Sequence, residues 1–185
     1  MLYTRKGDSG TTKTLSCDQR ISKSSAVAEA LGALDEANSF LGICRSKSEG
    51  KEIKLKNNEI SFAELILEVQ QNLFIVQAEV AGSDLIIVAE KISKVENIVD
   101  EIEKVLPPIK SFFISGATEL SANFDFARTL VRRAERRVVA AREEGKIKVS
   151  PETLSYLNRL SSLFYAFARI SNHLAKVVEI KPEYK

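Results

Sequence analysis

The chain has 185 residues, 44% of them hydrophobic, and its 27 basic and 25 acidic side chains give a formal net charge of +2. A chain of this length can bury one sizeable core, so we predict a single domain over residues 1–185. The near balance of charge argues against nucleic acid as a partner, because nucleic-acid-binding domains usually carry a strongly basic face.

The two cysteines and the single histidine limit the metal and redox chemistry of the chain. Cys17 and Cys44 form no CxxC pair, and His173 alone cannot complete a histidine and cysteine ligand set, so we expect no metal site built from them. No segment reaches the roughly 18 apolar residues of a membrane span, and no apolar signal region follows Met1. We therefore expect a cytoplasmic protein with reduced cysteines and no membrane partner.

The chain begins with a polar strip and then shows helical periodicity almost throughout. Residues 3–13 are polar and punctuated by glycine, and no hydrophobic period marks them as helix or strand. Ser25 and the serines before it offer N-caps for a first helix that runs to about Cys44. Asp35 interrupts the apolar side of this helix.

The same periodicity predicts four more helices, joined by loops. They are a helix over 60–81, a helix over 93–106 stopped by Pro107 and Pro108, one between a Thr118 cap and Gly145, and one that starts at Ser150 and Pro151. The lysine-rich stretch 46–58 and the apolar stretch 85–88 are predicted as loops, since no partner strand is evident. Five long helices without a sheet predict an all-α five-helix bundle over residues 24–180.

The fourth helix has two contrasting faces. Arg128, Arg132 and Glu135 fall on one stripe at i, i+4 and i+7. The opposite side carries an apolar row that can bury itself, formed by Leu120, Phe124, Ala127, Val131, Ala134 and Val138. The charged stripe is not needed to form a core. It faces either solvent, which is the usual case for such stripes, or a cleft that binds anions.

Several kinds of catalytic site are excluded by composition and spacing. One histidine cannot supply a Glu-x-x-His di-iron pair or a nucleophilic triad, and Gly7 and Gly10 lack the spacing of a P-loop. Backbone N–H groups of the strip, the arginines, and Lys6, Lys13 and Lys23 suit a ligand with several phosphates. The residues alone leave two interpretations open, a protein that binds a nucleotide or a polyphosphate and a purely structural helical protein.

Five motifs then resemble one enzyme family. The sequence TRKGDSGTT at residues 4–12 resembles the opening TRxGDxGxT of the ATP:cob(I)alamin adenosyltransferases of the propanediol-utilisation type. The other motifs follow in family order and spacing, at residues 20–23, 32–39, 127–136 and 157–161. The resemblance extends over nearly the whole chain.

The resemblance implies a five-helix homotrimer with active sites between subunits. It implies transfer of the 5′-deoxyadenosyl group of ATP to the cobalt of cob(I)alamin, with Mg²⁺ present and triphosphate as the second product. Cob(I)alamin itself is the nucleophile, so no catalytic base is required of the protein. A flavin reductase and a cobalamin-dependent enzyme are the expected transient partners.

The resemblance also assigns residues to ATP, and two groups carry the assignment. The N-terminal strip, residues 1–23, provides phosphate ligands, namely Thr4, Arg5, Lys6, Gly7, Thr12, Lys13 and Lys23. The fourth and fifth helices provide ligands to ATP and its Mg²⁺, namely Arg132, Arg133, Glu135, Arg136 and Asn158. Arg132 counts among the catalytic residues as well.

On the corrinoid side, the resemblance assigns Phe112 to the lower face of the corrin, where it displaces the lower axial ligand. It pairs Arg128 with Asp35 of the partner subunit. Ser115 and Ala117 depart from the family's proline- and glycine-containing loop, so the loop that carries Phe112 has a different composition. The departures leave an alternative function, a non-catalytic nucleotide-binding bundle that has lost the corrin half of the site.

Overall fold

The computed structural model describes residues 3, 5–14, 20–55 and 59–184. Within these residues there are five α-helices: α1 (Ala26–Lys47), α2 (Phe62–Val80), α3 (Ala89–Val105), α4 (Glu119–Glu143) and α5 (Pro151–Leu174). They confirm the predicted all-α five-helix architecture. None of the described helices is both long and apolar enough to cross a membrane.

The helices begin where the sequence offers capping side chains. Ser25 accepts a hydrogen bond from the Ala28 N–H at the start of α1. Ser150 accepts one from the Thr153 N–H at the start of α5, where Pro151 takes the first position. Thr118 forms a reciprocal capping box with Ser121. Helix α3 is the exception, because it begins at Ala89, four residues before the predicted start at 93, and no side chain caps it.

Two small antiparallel sheets correct the prediction that the chain has no strands. Strand β1 (Thr11–Lys13) pairs with β2 (Arg20–Ser22), and β3 (Glu52–Lys54) pairs with β4 (Glu59–Ser61). The Arg20 side chain holds the first pair, because it donates to the hydroxyl and the carbonyl oxygen of Thr11 at 2.8 Å each. Three-residue strands are too short to show an alternating pattern, so the sequence predicted loops.

An aromatic cluster forms the centre of the core. Phe62 of α2, Phe124 of α4 and Phe167 of α5 lie with ring centroids 5.1 to 5.4 Å apart, and Phe164 packs edge-on to Phe167. Helix α4 packs against α1 on one side and α5 on the other. Its predicted apolar row is buried, with Leu120 partly so, and this leaves the charged face of α4 turned outward.

A buried carboxylate fixes the start of α5. Glu79, near the end of α2, accepts hydrogen bonds from the Ser150 backbone N–H at 2.6 Å and from the Thr153 hydroxyl at 2.5 Å. A negative charge at a helix N-terminus also interacts favourably with the helix dipole. Glu79 therefore ties α2 to the N-terminal end of α5.

Candidate active site

A cavity of about 610 Å³ lies beside the outward face of α4. It brings together Phe112, Arg128 and Arg132, three of the predicted catalytic residues. Its walls come from α4, α5 and the 109–115 loop: Ile109, Lys110, Ser111, Phe112, Phe113, Ser115, Asp125, Arg128, Arg132, Ser161, Ser162 and Tyr165. A larger groove of about 810 Å³ between α2 and α3 contains none of the predicted site residues.

Arg128 has a partner within its own helix. Its Nε lies 3.3 Å from Asp125 Oδ1, one turn earlier, and both side chains are partly buried. Asp35 is exposed on α1, and it forms no ion pair with Arg128 among the described residues. The prediction that Asp35 interrupts the apolar side of α1 is wrong, because the buried stripe runs through Leu34 and Asn38 instead.

The arginines of α4 separate into two rows. Arg133 contacts Glu36 and Arg137 lies 3.8 Å from Glu29, so both reach across to α1. Arg132 and Arg136 are exposed and have no hydrogen-bond or ion-pair partner in the described part of the chain. Arg133, which the resemblance groups with the ATP ligands, is therefore directed toward α1 and does not line the cavity.

Glu135 and Asn158, which the resemblance assigns to ATP and its Mg²⁺, are in contact. The Asn158 Nδ2 donates to Glu135 Oε1 at 3.0 Å, which joins the charged face of α4 to α5. Arg159 in turn donates to Asn158 Oδ1 at 2.9 Å. The Asn158 amide thus faces Glu135 through its nitrogen and Arg159 through its oxygen. No group of three or more His, Cys, Asp or Glu side chains that could hold a metal occurs among the described residues.

Residues 5–10 of the N-terminal strip form a turn that carries exposed cations. A Cβ at Gly7 would lie 3.1 Å from Lys23 Nζ, so the lysine side chain passes directly over this glycine. Arg5, with a positive φ of 60°, and Lys6 are exposed beside it. Thr12 is partly buried and Lys13 exposed in β1, whereas Thr4 lies outside the described residues. None of the described strip residues lines the cavity beside α4.

The loop over residues 109–116 presents its two phenylalanines differently. Phe112 is 79% exposed, while Phe113 is partly buried and lies under Arg169, whose guanidinium carbon is 4.6 Å from the ring centroid. Gly116 has a φ of 102°, a conformation that other residues rarely adopt. Sequence reasoning missed Arg169, although a lone arginine within the apolar run 163–170 was a signal for it.

Cys44 takes no part in the site. Its thiol is fully buried, and this burial raises its pKa to about 12. The thiol is therefore neutral at physiological pH and serves as a small apolar residue of the core.

The fold and the cavity define a helical-bundle protein with a cationic face suited to anions. Residues 2–171 match the family model described as Cobalamin adenosyltransferase. The chain belongs to the cobalamin adenosyltransferase family, which confirms the resemblance inferred from its motifs.

Individual relatives agree with this membership. The chain is 35% identical to the corrinoid adenosyltransferase of Bacillus subtilis, with 98% of this chain and 92% of that protein covered. It is 36% identical to the corrinoid adenosyltransferase PduO of Citrobacter freundii, covering 93% of this chain but 50% of the relative, so it spans about half the length of that protein.

A solved structure agrees in fold over nearly all of both chains. A variant PduO-type ATP:corrinoid adenosyltransferase from Lactobacillus reuteri, complexed with cobalamin and ATP, superposes with a TM-score of 0.85 at 27% identity. The superposition covers 98% of this chain and 96% of that one.

Proposed function

We propose that the protein transfers the 5′-deoxyadenosyl group of ATP to the cobalt of cob(I)alamin. The observation that carries the proposal is the cavity that combines the exposed ring of Phe112 with Arg128 and Arg132. Membership in the cobalamin adenosyltransferase family and the likeness to a structure complexed with cobalamin and ATP support it.

In the proposed reaction, the chain's own residues position ATP and stabilise the departing charge. The reduced cobalt supplies the electron pair for the new bond to C5′ of ATP, the C5′–O5′ bond breaks, and triphosphate leaves. Arg132 and Arg136 suit the phosphates because their guanidinium groups are exposed and unpaired in the described part of the chain. Arg133 is left out of this set because it contacts Glu36.

The N-terminal strip provides the second set of proposed phosphate ligands. Backbone N–H groups around Gly7 and the cations of Arg5, Lys6 and Lys23 are grouped at one turn. Thr4, Thr12 and Lys13 remain proposed on the motif alone. Because none of the described strip residues lines the cavity of its own chain, we propose that the strip completes the site of a neighbouring subunit.

Mg²⁺ fits the outer side of α4 and α5. Mg²⁺ is usually held by one or two carboxylates together with substrate phosphates. Glu135 offers a carboxylate of this kind on the same helix as Arg132 and Arg136, and the Asn158 Nδ2 holds one of its oxygens. Bound there, the ion would neutralise phosphate charge, while Asn158 orients the Glu135 carboxylate.

We propose a homotrimer in which Asp35 of one subunit pairs with Arg128 of the next. Asp35 supports this, because it is an exposed carboxylate on α1 without an ion pair in the described part of its own chain. Large apolar side chains on three helices are also exposed and would be covered in an oligomer: Ile43, Leu67, Phe74 and Phe126. A cytoplasmic location and transient partnership with a flavin reductase and a cobalamin-dependent enzyme stay predictions from the sequence.

A spectral assay tests the proposed function. The protein, MgATP and chemically reduced cobalamin are mixed, and both the visible absorption of the corrinoid and the release of triphosphate are followed. We expect the spectrum to change to that of a cobalt-alkylated corrinoid with one triphosphate per corrinoid. A non-catalytic nucleotide-binding protein would show no spectral change, yet ATP at about 100 times its Kd would still stabilise it by about 2.7 kcal/mol. A purely structural bundle would show neither effect.

A further inference from the structure

The C-terminal segment after α5 is bonded to the loop that carries Phe112. The Ile114 backbone N–H donates to the Ile180 carbonyl oxygen at 2.8 Å. Ile114 is two residues from Phe112, so this bond restrains the loop close to the ring that lines the cavity. We give the name latch to two contacts together, this Ile114–Ile180 bond and the ion pair between Arg169 and Glu179.

Glu179 fastens the segment to the end of the bundle. Its Oε2 accepts from Arg169 Nε at 2.7 Å, and its Oε1 accepts from Asn172 Nδ2 at 3.2 Å. The Thr118 hydroxyl donates to Asn172 Oδ1 at 3.2 Å, and Thr118 is the N-cap of α4. Glu179 thus joins the C-terminal segment to α5, and Asn172 extends this connection to the start of α4.

Arg169 is an unusual residue to bury at this place. It is only 4% exposed, its neighbours are Glu179 and the ring of Phe113, and its Nη1 is buried without a hydrogen-bond partner. A buried polar group that lacks a partner costs free energy, and buried ion pairs contribute little net stability. Stability of the bundle therefore does not account for an arginine here.

The arrangement discriminates between two successive phenylalanines. Phe113 is held against the Arg169 guanidinium at 4.6 Å, whereas Phe112 has no such restraint and is 79% exposed. A slip of the loop by one residue would exchange the two rings. The cation–π contact and the Ile114–Ile180 bond both oppose such a slip.

We propose that Arg169 and Glu179 are positioning residues that fix the register of the 109–116 loop, so that Phe112, the exposed one of the two phenylalanines that line the cavity, is presented to the corrinoid. The latch rests on the proposed function for its effect on catalysis. Neither residue touches the reacting atoms, and each acts through Phe113 and the loop backbone.

Kinetic comparison of Arg169→Met, Glu179→Gln and Phe112→Ala tests the latch. Adenosylation is measured from cob(II)alamin that must be reduced on the protein and from pre-reduced cob(I)alamin. We expect kcat from cob(II)alamin to fall by about tenfold to a hundredfold in all three variants, a smaller loss from cob(I)alamin, and a KM for ATP within about twofold of the parent. Equal losses by the two routes, or no loss in either latch variant, would overturn the proposal.

A double variant tests whether the latch acts through Phe112. If it does, Arg169→Met combined with Phe112→Ala should be no more than about twofold worse than Phe112→Ala alone. Losses that multiply would mean that Arg169 acts elsewhere, which contradicts the proposal. If Arg169→Met does not fold, Glu179→Gln replaces it in the same comparison, because Glu179 lies on the terminal segment and its substitution leaves α5 intact.

Glu79→Gln is the matched control for lost stability. It weakens a buried carboxylate contact at the opposite end of α5, so it should lower Tm without separating the two corrinoid routes. The loss of kcat from cob(II)alamin relative to that from cob(I)alamin could be as large in Glu79→Gln as in Glu179→Gln. This result would show that the kinetic difference comes from general destabilisation, and it would overturn the proposal.

Amide hydrogen exchange decides the latch even if the parent forms no alkylated corrinoid. We expect exchange at Ile114 to be faster by about tenfold in Glu179→Gln than in the parent, and unchanged in Glu79→Gln. Unchanged exchange in Glu179→Gln would overturn the latch whatever the activity. Failure of the parent in the spectral assay would instead contradict the proposed function alone.

Discussion

The two arginine rows of α4 belong to one helix and one stretch of sequence, yet they have different surroundings. Arg133 and Arg137 reach carboxylates on α1, whereas Arg132 and Arg136 have no such partner within the described residues. Like charges one helical turn apart are destabilising, so the unpaired row costs the isolated chain a little free energy. We infer that this row is the one suited to an anionic ligand, while the paired row joins α4 to α1.

We expect the greatest loss of activity when Arg132 is replaced. We predict that Arg132→Ala lowers kcat/KM for ATP by about tenfold to a hundredfold, since a charge-assisted hydrogen bond contributes about 1.5–3 kcal/mol. Arg137→Ala is the matched control, because it removes an arginine of similar exposure from the other row. Steady-state kinetics at limiting ATP and a thermal unfolding curve for each variant provide the measurement.

The two variants together test whether the two arginine rows differ in function. If Arg137→Ala loses as much ATP activity as Arg132→Ala, the rows are equivalent and the division by partners has no functional meaning. If neither variant changes the kinetics, the charged face of α4 is simply solvated.

A double-mutant cycle tests the proposed pairing of Asp35 with Arg128 of the neighbouring subunit. We predict that Asp35→Asn and Arg128→Ala each damage the corrinoid step more than ATP binding, with a coupling energy of about 1 kcal/mol between them. A second cycle with Asp125→Asn is needed, because Asp125 is the partner of Arg128 within the chain. Coupling to Asp125 with strict additivity for Asp35 would show that Asp35 and Arg128 never meet.

Glu135 should affect the metal requirement more than the affinity for ATP. We predict that Glu135→Gln raises the Mg²⁺ concentration needed for half-maximal activity by about three- to tenfold, because an amide is a weaker ligand than a carboxylate. Glu143→Gln, at the exposed end of the same helix, serves as the control. An unchanged Mg²⁺ titration would remove Glu135 from the metal environment and leave it as a contact for Asn158.

The helices were predictable because their signals are local. The caps Ser25, Thr118 and Ser150 and the apolar row of α4 lie within a few residues of the elements that they specify. The pairing of β1 with β2 was not predictable, since Arg20 stabilises it through Thr11, and this contact is not visible as a hydrophobic period.

The site was predictable in its members more than in their surroundings. The motifs named Arg132 and Arg133 alike, but the rotation of α4 relative to α1 decides which of them reaches Glu36. The contact of Arg169 with Glu179 joins two residues across the end of α5, and no periodic pattern relates them. Such contacts depend on how the chain turns after a helix, which sequence spacing does not determine.

We expect the smallest changes in stability and activity when an ion pair of the paired row is removed. We predict that Glu36→Gln lowers the free energy of unfolding by about 0.5 kcal/mol, since it removes one exposed ion pair to Arg133. Urea unfolding at low and high salt measures the change, which should shrink at high salt because the pair is screened. Activity should stay within about twofold of the parent, because surface ion pairs are worth at most about 1 kcal/mol. A large loss of ATP affinity in Glu36→Gln would mean that its contact with Arg133 orients the ligands of ATP, and the two rows would then act as one site.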